Sequence, residues 1–348
     1  MNPNSNKVPK IITIAALLLI TAGVALFFHF RHDQRDSGDG VFHGKIKIGH
    51  LVALDMAPMF VAKEAGYFKE EGMDVETLFF PNPGDNNAAL AGGSIQFSIN
   101  PFTLPYLAEN SGIPIRIISS AGGLGIMEVI AQGTLGIDSP KALADYVKAN
   151  PGKKLKVATL KGDTLEMILY RSFKENGLSY DNFEMVWFND LLAMVQSFQT
   201  KQVDVLSFIK PYTTDFIMNQ GAKRLTDNSE VWGYGTPNCT CAVMDEFLKK
   251  YPKTVESYLR AVHKAFTLIV NDPDKAVELL KTGGYYKVPP EVLLYAFKNQ
   301  PKEVRLTPNR EGVMKAINDM AAQGYIKAPK EDIMRLEILS KIEPPPVK

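Results

Sequence analysis

Ile46–Glu76 reads IKIGHLVALDMAPMFVAKEAGYFKEEGMDVE. Lys45 to Val52 alternates and then runs apolar, the pattern of a strand bounded by Gly44. Met59, Phe60, Ala62, Ala65 and Phe68 recur at helical spacing, and Gly66 and Gly72 stop the run before a second strand at Val75–Phe80. Asp85–Ala91 then reads as a short helix closed by Gly92-Gly93, Ile95–Ile99 as a strand, Leu104–Asn110 as a helix and Ile113–Ser119 as a fourth strand. Strand and helix alternating at such short intervals predict parallel α/β layers.

The theme restarts downstream. Val129–Ala131 is a brief strand, and Ser139-Pro140 opens a helix with Ser at the N-cap and Pro at the first position. Leu155–Thr159 feeds Lys161-Gly162-Asp163-Thr164 and a helix to Asn176; Phe183–Phe188, Leu191–Gln199 and Val203–Ile209 repeat strand, helix, strand. After Cys239–Met244 the chain turns helical: Pro252–Val270, Pro273–Thr282, Pro290–Asn299, Arg310–Gln323 and Lys330–Ser340.

Composition narrows the function. Across 348 residues, 39 Lys plus Arg balance 38 Asp plus Glu, a net charge of +1 that argues against a nucleic-acid partner. The two Cys, Cys239 and Cys241, exclude a disulfide framework and a four-Cys zinc site. Ile11–Phe30 (IITIAALLLITAGVALFFHF) has one titratable residue, His29, and matches the ~20 apolar residues of a membrane-spanning helix better than the roughly 7–15 of a secretory core. An uncleaved anchor is the first reading and cleavage after Ala25 the second. Lys7 and Lys10 precede it, and Arg31 and Arg35 follow, so the positive-inside rule decides topology only weakly. The polar, Gly-containing stretch 31–44 is a tether.

Several stretches carry a resemblance. Ala57-Pro58, Val61-Ala62-Lys63-Glu64, Gly66-Tyr67-Phe68 and Gly72-Met73-Asp74-Val75-Glu76 resemble the N-terminal segment of ABC-transporter substrate-binding proteins of the nitrate, sulfonate and taurine type, which include binders of thiamine-pyrimidine precursors. Ala89–Phe97 is similar to the family's second stretch, with Gln96 where Asp is usual, so the bond of that carboxylate is expected to be absent. Ser139–Leu143, Gln202–Val205 and Phe247–Leu259 are similar to later landmarks, and the likeness covers roughly Lys45–Asp272.

The resemblance implies a periplasmic-binding-protein type II fold, α/β with two lobes and a hinge, preceded by the N-terminal transmembrane helix. The segments would be 1–10, the anchor or signal 11–30, the tether 31–44, the first part of lobe one 45–128, lobe two 129–240, and the lobe-one return with the C-terminal helices 241–348. It further implies a membrane-tethered solute receptor on the extracytoplasmic side that closes over a small polar molecule. Its partners would be an ABC permease and ATPase, with no cofactor, metal or catalytic residue.

In open α/β sheets ligands bind beyond the carboxyl ends of the strands, against helix starts. The candidate ligand-binding residues follow from that placement. Leu54, Asp55 and Met56 come after strand one, Asp55 either capping the next helix or accepting from a ligand amine. Asn82 and Gly84 follow strand two; Asn100 and Phe102 follow strand three, Phe102 as an aromatic wall or as core. In lobe two Gly162, Asp163 and Thr164 stand at a helix start, Asn189 and Lys210 follow the next two strands, and Asn238 sits at the second crossing. The Asp163 carboxylate would repel an anion unless it only caps, which favours a solute with a cationic or hydrogen-bond-donating part over bare nitrate or sulfonate.

Cys239 and Cys241 share one strand face, as buried hydrophobes beside the hinge or as a redox-sensitive or ligand-touching pair. Among the five His there is no assigned nucleophile–base pair; Cys239 with His50 is the pair that an enzyme on the same fold, acting on a thiamine-precursor-like molecule, would use. A ligand-sensing module is a third class.

Overall fold

The computed structural model describes residues 38–122, 126–300, 305–329 and 332–343; the expected anchor at 11–30 and most of the tether lie outside the described residues. Among the described residues no helix is long and apolar enough to cross a membrane.

The strands are β1 Ile46–His50, β2 Val75–Phe79, β3 Phe97–Pro101, β4 Ile115–Ser120, β5 Met127–Ala131, β6 Lys156–Leu160, β7 Glu184–Phe188, β8 Val205–Ile209, β9 Lys223–Asp227 and β10 Cys239–Met244. Between them run α1 Ala57–Glu64, α2 Tyr67–Glu70, α3 Pro83–Ala91, α4 Thr103–Asn110, α5 Pro140–Ala149, α6 Thr164–Glu175, α7 Leu191–Gln199, α8 Tyr212–Gln220 and α9 Asn228–Trp232. The return adds α10 Asp245–Lys250, α11 Pro252–Asn271, α12 Pro273–Gly283, α13 Pro290–Lys298, α14 Arg310–Ala322 and α15 Leu339–Ile342.

Two five-stranded sheets result, ordered β2-β1-β3-β10-β4 and β7-β6-β8-β5-β9. Their logic is identical. Each has parallel strands fed by short crossover helices, and each takes in, next to one edge, a single strand that arrives from the other lobe and runs antiparallel, β10 in the first and β5 in the second. The chain therefore passes from the first sheet to the second between β4 and β5 and returns between β9 and β10. All carboxyl ends of the parallel strands face the seam where candidate side chains can converge.

Local chemistry sets these elements. Ser139 accepts from the Ala142 amide at 3.1 Å with Pro140 at the first position of α5, a cap worth about 1 kcal/mol. Gly49 allows α3 to close on β1, because a Cβ there would stand 2.1 Å from Asn86 Oδ1. The return helix α11 is fixed by an aromatic column: Tyr258 stacks on Phe97 at 4.3 Å and on Phe68 at 5.8 Å. Gln96, where a carboxylate was expected to be missed, supplies its own bond, its Oε1 accepting from the Lys47 amide at 2.9 Å.

One expectation is corrected. Lys330–Ser340 does not form the helix expected there; of its described part, residues 332–335 run extended beside the edge strand β4, the Ile117 amide donating to Ile333 O at 3.1 Å and the Arg335 amide to Ile117 O at 2.8 Å. Burying Ile333 and Met334 there also covers the unpaired rim of the sheet, which outweighs the helical periodicity of the segment. In the return, α11 and α12 pack on α1, α13 packs on α12 and on α8, and α14 packs on α4 and on α6.

Candidate functional site

β1 delivers Leu51–Met56 into the seam, where Leu54–Met56 forms a single 3-10 turn. Asp55 caps no helix, although capping is one of the two roles expected of it. Its Oδ2 instead accepts from the Cys239 amide at 2.8 Å, and its Oδ1 is buried without a partner. Met56 folds under the loop, its sulfur receiving the Leu51 amide at 3.1 Å. The Leu54 amide crosses the lobes to Lys210 O at 2.8 Å.

The second loop is a helix start. Asn82 caps α3 by accepting from the Gly84 amide at 2.7 Å, and Gly84 is exposed. After β3, Asn100 donates to Pro83 O at 2.9 Å while its Oδ1 is buried and unpartnered. Phe102 is core: it is fully buried and meets Trp232 edge-on at 5.9 Å.

In the second lobe Gly162 adopts φ +73°, a backbone that favours glycine, and its amide donates to Glu166 Oε2 at 2.6 Å. Asp163 caps α6 through the Leu165 amide, 3.0 Å from Oδ1, leaving Oδ2 buried without a partner. The Thr164 hydroxyl reaches Asn238 Oδ1 at 2.7 Å, and Asn238 Nδ2 reaches Cys239 Sγ at 3.3 Å. Asp55, Cys239, Asn238, Thr164 and Asp163 thus form one continuous chain of contacts from lobe to lobe. Asn189 lies on the exposed rim. Lys210 turns back into its own lobe, its Nζ 3.6 Å from Glu128 Oε1, while the Thr213 hydroxyl donates to Glu128 Oε2 at 2.5 Å. Lys210 therefore faces a carboxyl that sequence reasoning passed over and that burial pushes upward against the pull of Lys210.

A cavity of about 10 Å³ remains in the seam, bounded by Ala53, Pro83 and Pro101 on one side and by Asp163, Leu191 and Ile209 on the other. A larger cavity of about 430 Å³ lies beside Tyr106, Glu109 and Ile326, yet it collects none of the unpartnered buried polar atoms. The seam is the better candidate because convergent polar groups, rather than volume, make a site.

Electrostatics sharpen the picture. Burial pushes the Asp55 carboxyl up to about 7 against the pull of the Cys239 amide, and pushes Asp163 up to about 6 against its cap bonds. The same burial, with both carboxyls close by, drives the Cys239 thiol well above its ordinary range and keeps it protonated. His50 goes the other way, down to about 4 by burial, with its ring edge-on to Phe60 at 4.8 Å and Nδ1 on Leu51 O at 2.8 Å. No hydrogen bond joins His50 to Cys239, so the pair lacks the geometry of an activated nucleophile. What the seam can do is hydrogen-bond: Asp163 and Asn100 each offer a buried acceptor oxygen, and Asp55 offers an acceptor when ionised and a donor when protonated.

Sequence reasoning missed Glu128, Tyr212, Glu166 and Tyr286. Glu166 is buried at the start of α6, where it receives Gly162 N and the hydroxyls of Tyr180 at 3.2 Å and Tyr325 at 2.8 Å. Its partners are separated by up to 159 residues, and no local signal announces them.

The NMT1-like family matches residues 43–282. The chain is 24% identical over 231 residues to a 4-amino-5-hydroxymethyl-2-methylpyrimidine phosphate synthase of Saccharomyces cerevisiae, covering 63% of this chain and 64% of that one. It thus spans under two thirds of the length of the curated relatives it matches first. Among solved structures it is similar to the periplasmic aliphatic sulphonate binding protein SsuA of Escherichia coli, with TM-score 0.67, 17% identity and coverage of 83% and 90% of the two chains. It is also similar to the periplasmic nitrate-binding protein NrtA of Synechocystis PCC 6803, with TM-score 0.72, 19% identity and coverage of 86% and 88%. At these identities the likeness establishes the fold, the two-sheet α/β architecture of periplasmic binding proteins.

Proposed function

Because the chain belongs to the NMT1-like family, we propose that it is the solute-binding receptor of an ABC importer, held at the extracytoplasmic face by its N-terminal apolar segment. The solute is a small polar molecule with a cationic or hydrogen-bond-donating part, such as an amino-sulfonate or a heteroaromatic amine. One observation carries this reading. Asp55 from the first lobe and Asp163 from the second each bury a carboxyl oxygen with no partner, and both flank Cys239 at the seam. Buried acceptors of that kind are costly unless something donates to them. Lobe closure over the donor would present a distinct surface to a permease and its ATPase without any bond being made or broken.

The named activity of the yeast relative keeps an enzyme on the same fold as the alternative, and the protonated thiol of Cys239 weighs against it here. Native mass spectrometry of the full chain, purified in detergent, followed by thermal shifts with an aminopyrimidine, taurine and nitrate, tests both. A retained or added solute with N–H donors and a raised unfolding temperature supports the receptor. No shift with any of the three sinks it, and chemical conversion of a bound solute transfers the case to the enzyme.

A further inference from the structure

Gly284–Pro289 is the strap between α12, packed on α1, and α13, packed on both α12 and the second-lobe helix α8. Two adjacent tyrosines pin this strap to the first lobe. Tyr285 lies flat on Phe60, ring centres 3.9 Å apart and planes at 13°, and its hydroxyl donates to Glu64 Oε1 at 2.5 Å. Tyr286, edge-on to the same Phe60, donates its hydroxyl to Ala53 O at 2.9 Å. Ala53 both borders the seam cavity and precedes the turn that carries Asp55. From the second lobe Tyr212, at the start of α8, faces the strap with its hydroxyl oxygen toward the Lys287 amide; the hydroxyl is buried and its proton has no acceptor. Asp55, Tyr212 and Tyr286 therefore meet from three separate parts of the chain, and the first two keep polar atoms unused.

Resting on the receptor reading above, we propose that Tyr286 is a ligand-positioning residue and that Gly284–Pro289 forms a third wall of the solute site. The wall closes the side of the seam that the two lobes leave to the return. A solute there gives a donor to Asp55 Oδ1 and takes one from the Tyr212 hydroxyl, while Tyr286 holds the Asp55 turn in register by its bond to Ala53. When the lobes part, either the strap shifts or α13 separates from α8, since α13 packs on α12 as well as on α8.

The test uses the full chain in detergent, with Tyr286→Phe and Tyr286→Leu, and with Tyr295→Phe as an exposed control. Titration calorimetry with 4-amino-5-hydroxymethyl-2-methylpyrimidine and with taurine reads the site. Hydrogen exchange of the Leu54 amide, which bonds to Lys210 O across the seam, reads closure without any solute. Tyr286→Leu is expected to weaken whichever probe binds the unaltered chain at least tenfold and to speed Leu54 exchange at least fivefold. Tyr286→Phe, which keeps the ring on Phe60, is expected to fall between and to keep a urea midpoint near that of the control, whereas Tyr286→Leu, which loses the ring contact too, lowers it. Unaltered affinity in Tyr286→Leu, or unaltered Leu54 exchange, overturns the proposal. If the unaltered chain binds neither probe, the receptor reading is what fails, and Leu54 exchange alone decides the strap.

Discussion

Thr164 donates its hydroxyl to Asn238 Oδ1 across 2.7 Å, joining the first turn of α6 in the second lobe to the residue that opens β10 in the first. Both partners are buried, so removing the donor leaves a carbonyl oxygen with nothing to replace it. Thr164→Val keeps the shape and is expected to cost about 1–3 kcal/mol, read as a lower urea midpoint at constant slope. Thr164→Ser restores the donor and should recover most of the loss. A Val variant as stable as the parent would mean that the bond contributes nothing to closure.

Asp55 supplies a pH signature with a definite sign. Its folded carboxyl titrates at about 7, above the ordinary value of 3.8, so between those limits the folded chain holds a proton that the unfolded chain has lost. The stability it contributes is complete below about pH 4 and declines as pH rises toward 7. Asp55→Asn keeps an acceptor for the Cys239 amide and removes the titration. The stability of the parent relative to this variant should therefore fall by on the order of 2–4 kcal/mol from pH 4 to pH 7.5. Urea unfolding at closely spaced pH values measures the difference, and a flat difference curve would place the carboxyl in contact with water.

Most elements were legible because the signals that define them are local. Ser139-Pro140 capped its helix as read, and the spacing of Met59, Phe60 and Ala62 marked a helix that the structure buries on that face. Asp55, Asp163, Thr164 and Asn238 meet at the seam because strand ends are fixed once strands are assigned, whereas Phe102 goes to the core and Asn189 to the exposed rim. What escaped was set by distant partners. Asp55 looks like a cap in sequence, yet its bond goes to an amide 184 positions away. Ile333 and Met334 carry a helical pattern but serve the edge of β4, a partner that sequence periodicity cannot name. Tyr286 lies in a break between two Pro-headed helices, which reads as a connection and not as a wall.

Gly49 tests the packing that holds the seam in place. Asn86 is buried on α3, donating to Ile99 O at 3.0 Å and accepting from the Ser98 hydroxyl at 3.1 Å, so it cannot move away without breaking both bonds. A methyl group at position 49 would collide with its Oδ1 and also stand 2.6 Å from the Ile95 side chain. Gly49→Ala is expected to destabilise by about 1–3 kcal/mol through overpacking. Combining it with Asn86→Ala should return part of that loss, a coupling read by a double-mutant cycle. Additive costs would show that Asn86 is not what the methyl group strikes.

Asp163 separates the two duties of one carboxyl. As a cap it needs only an oxygen for the Leu165 amide, which serine also provides; as a charge at the seam it favours donors and repels anions. Asp163→Ser should therefore leave the unfolding free energy within about 0.5 kcal/mol of the parent while changing which solutes bind. One charge removed at a few ångströms in a partly screened site is worth up to about 4 kcal/mol. A swing of at least tenfold in the ratio of affinities, toward taurine or nitrate and away from an aminopyrimidine, is a modest share of that and lies well within calorimetric resolution. An unchanged ratio would mean that solute charge is read elsewhere in the seam, with Lys210 and Glu128 the next pair to vary because the ammonium and the carboxyl stand 3.6 Å apart.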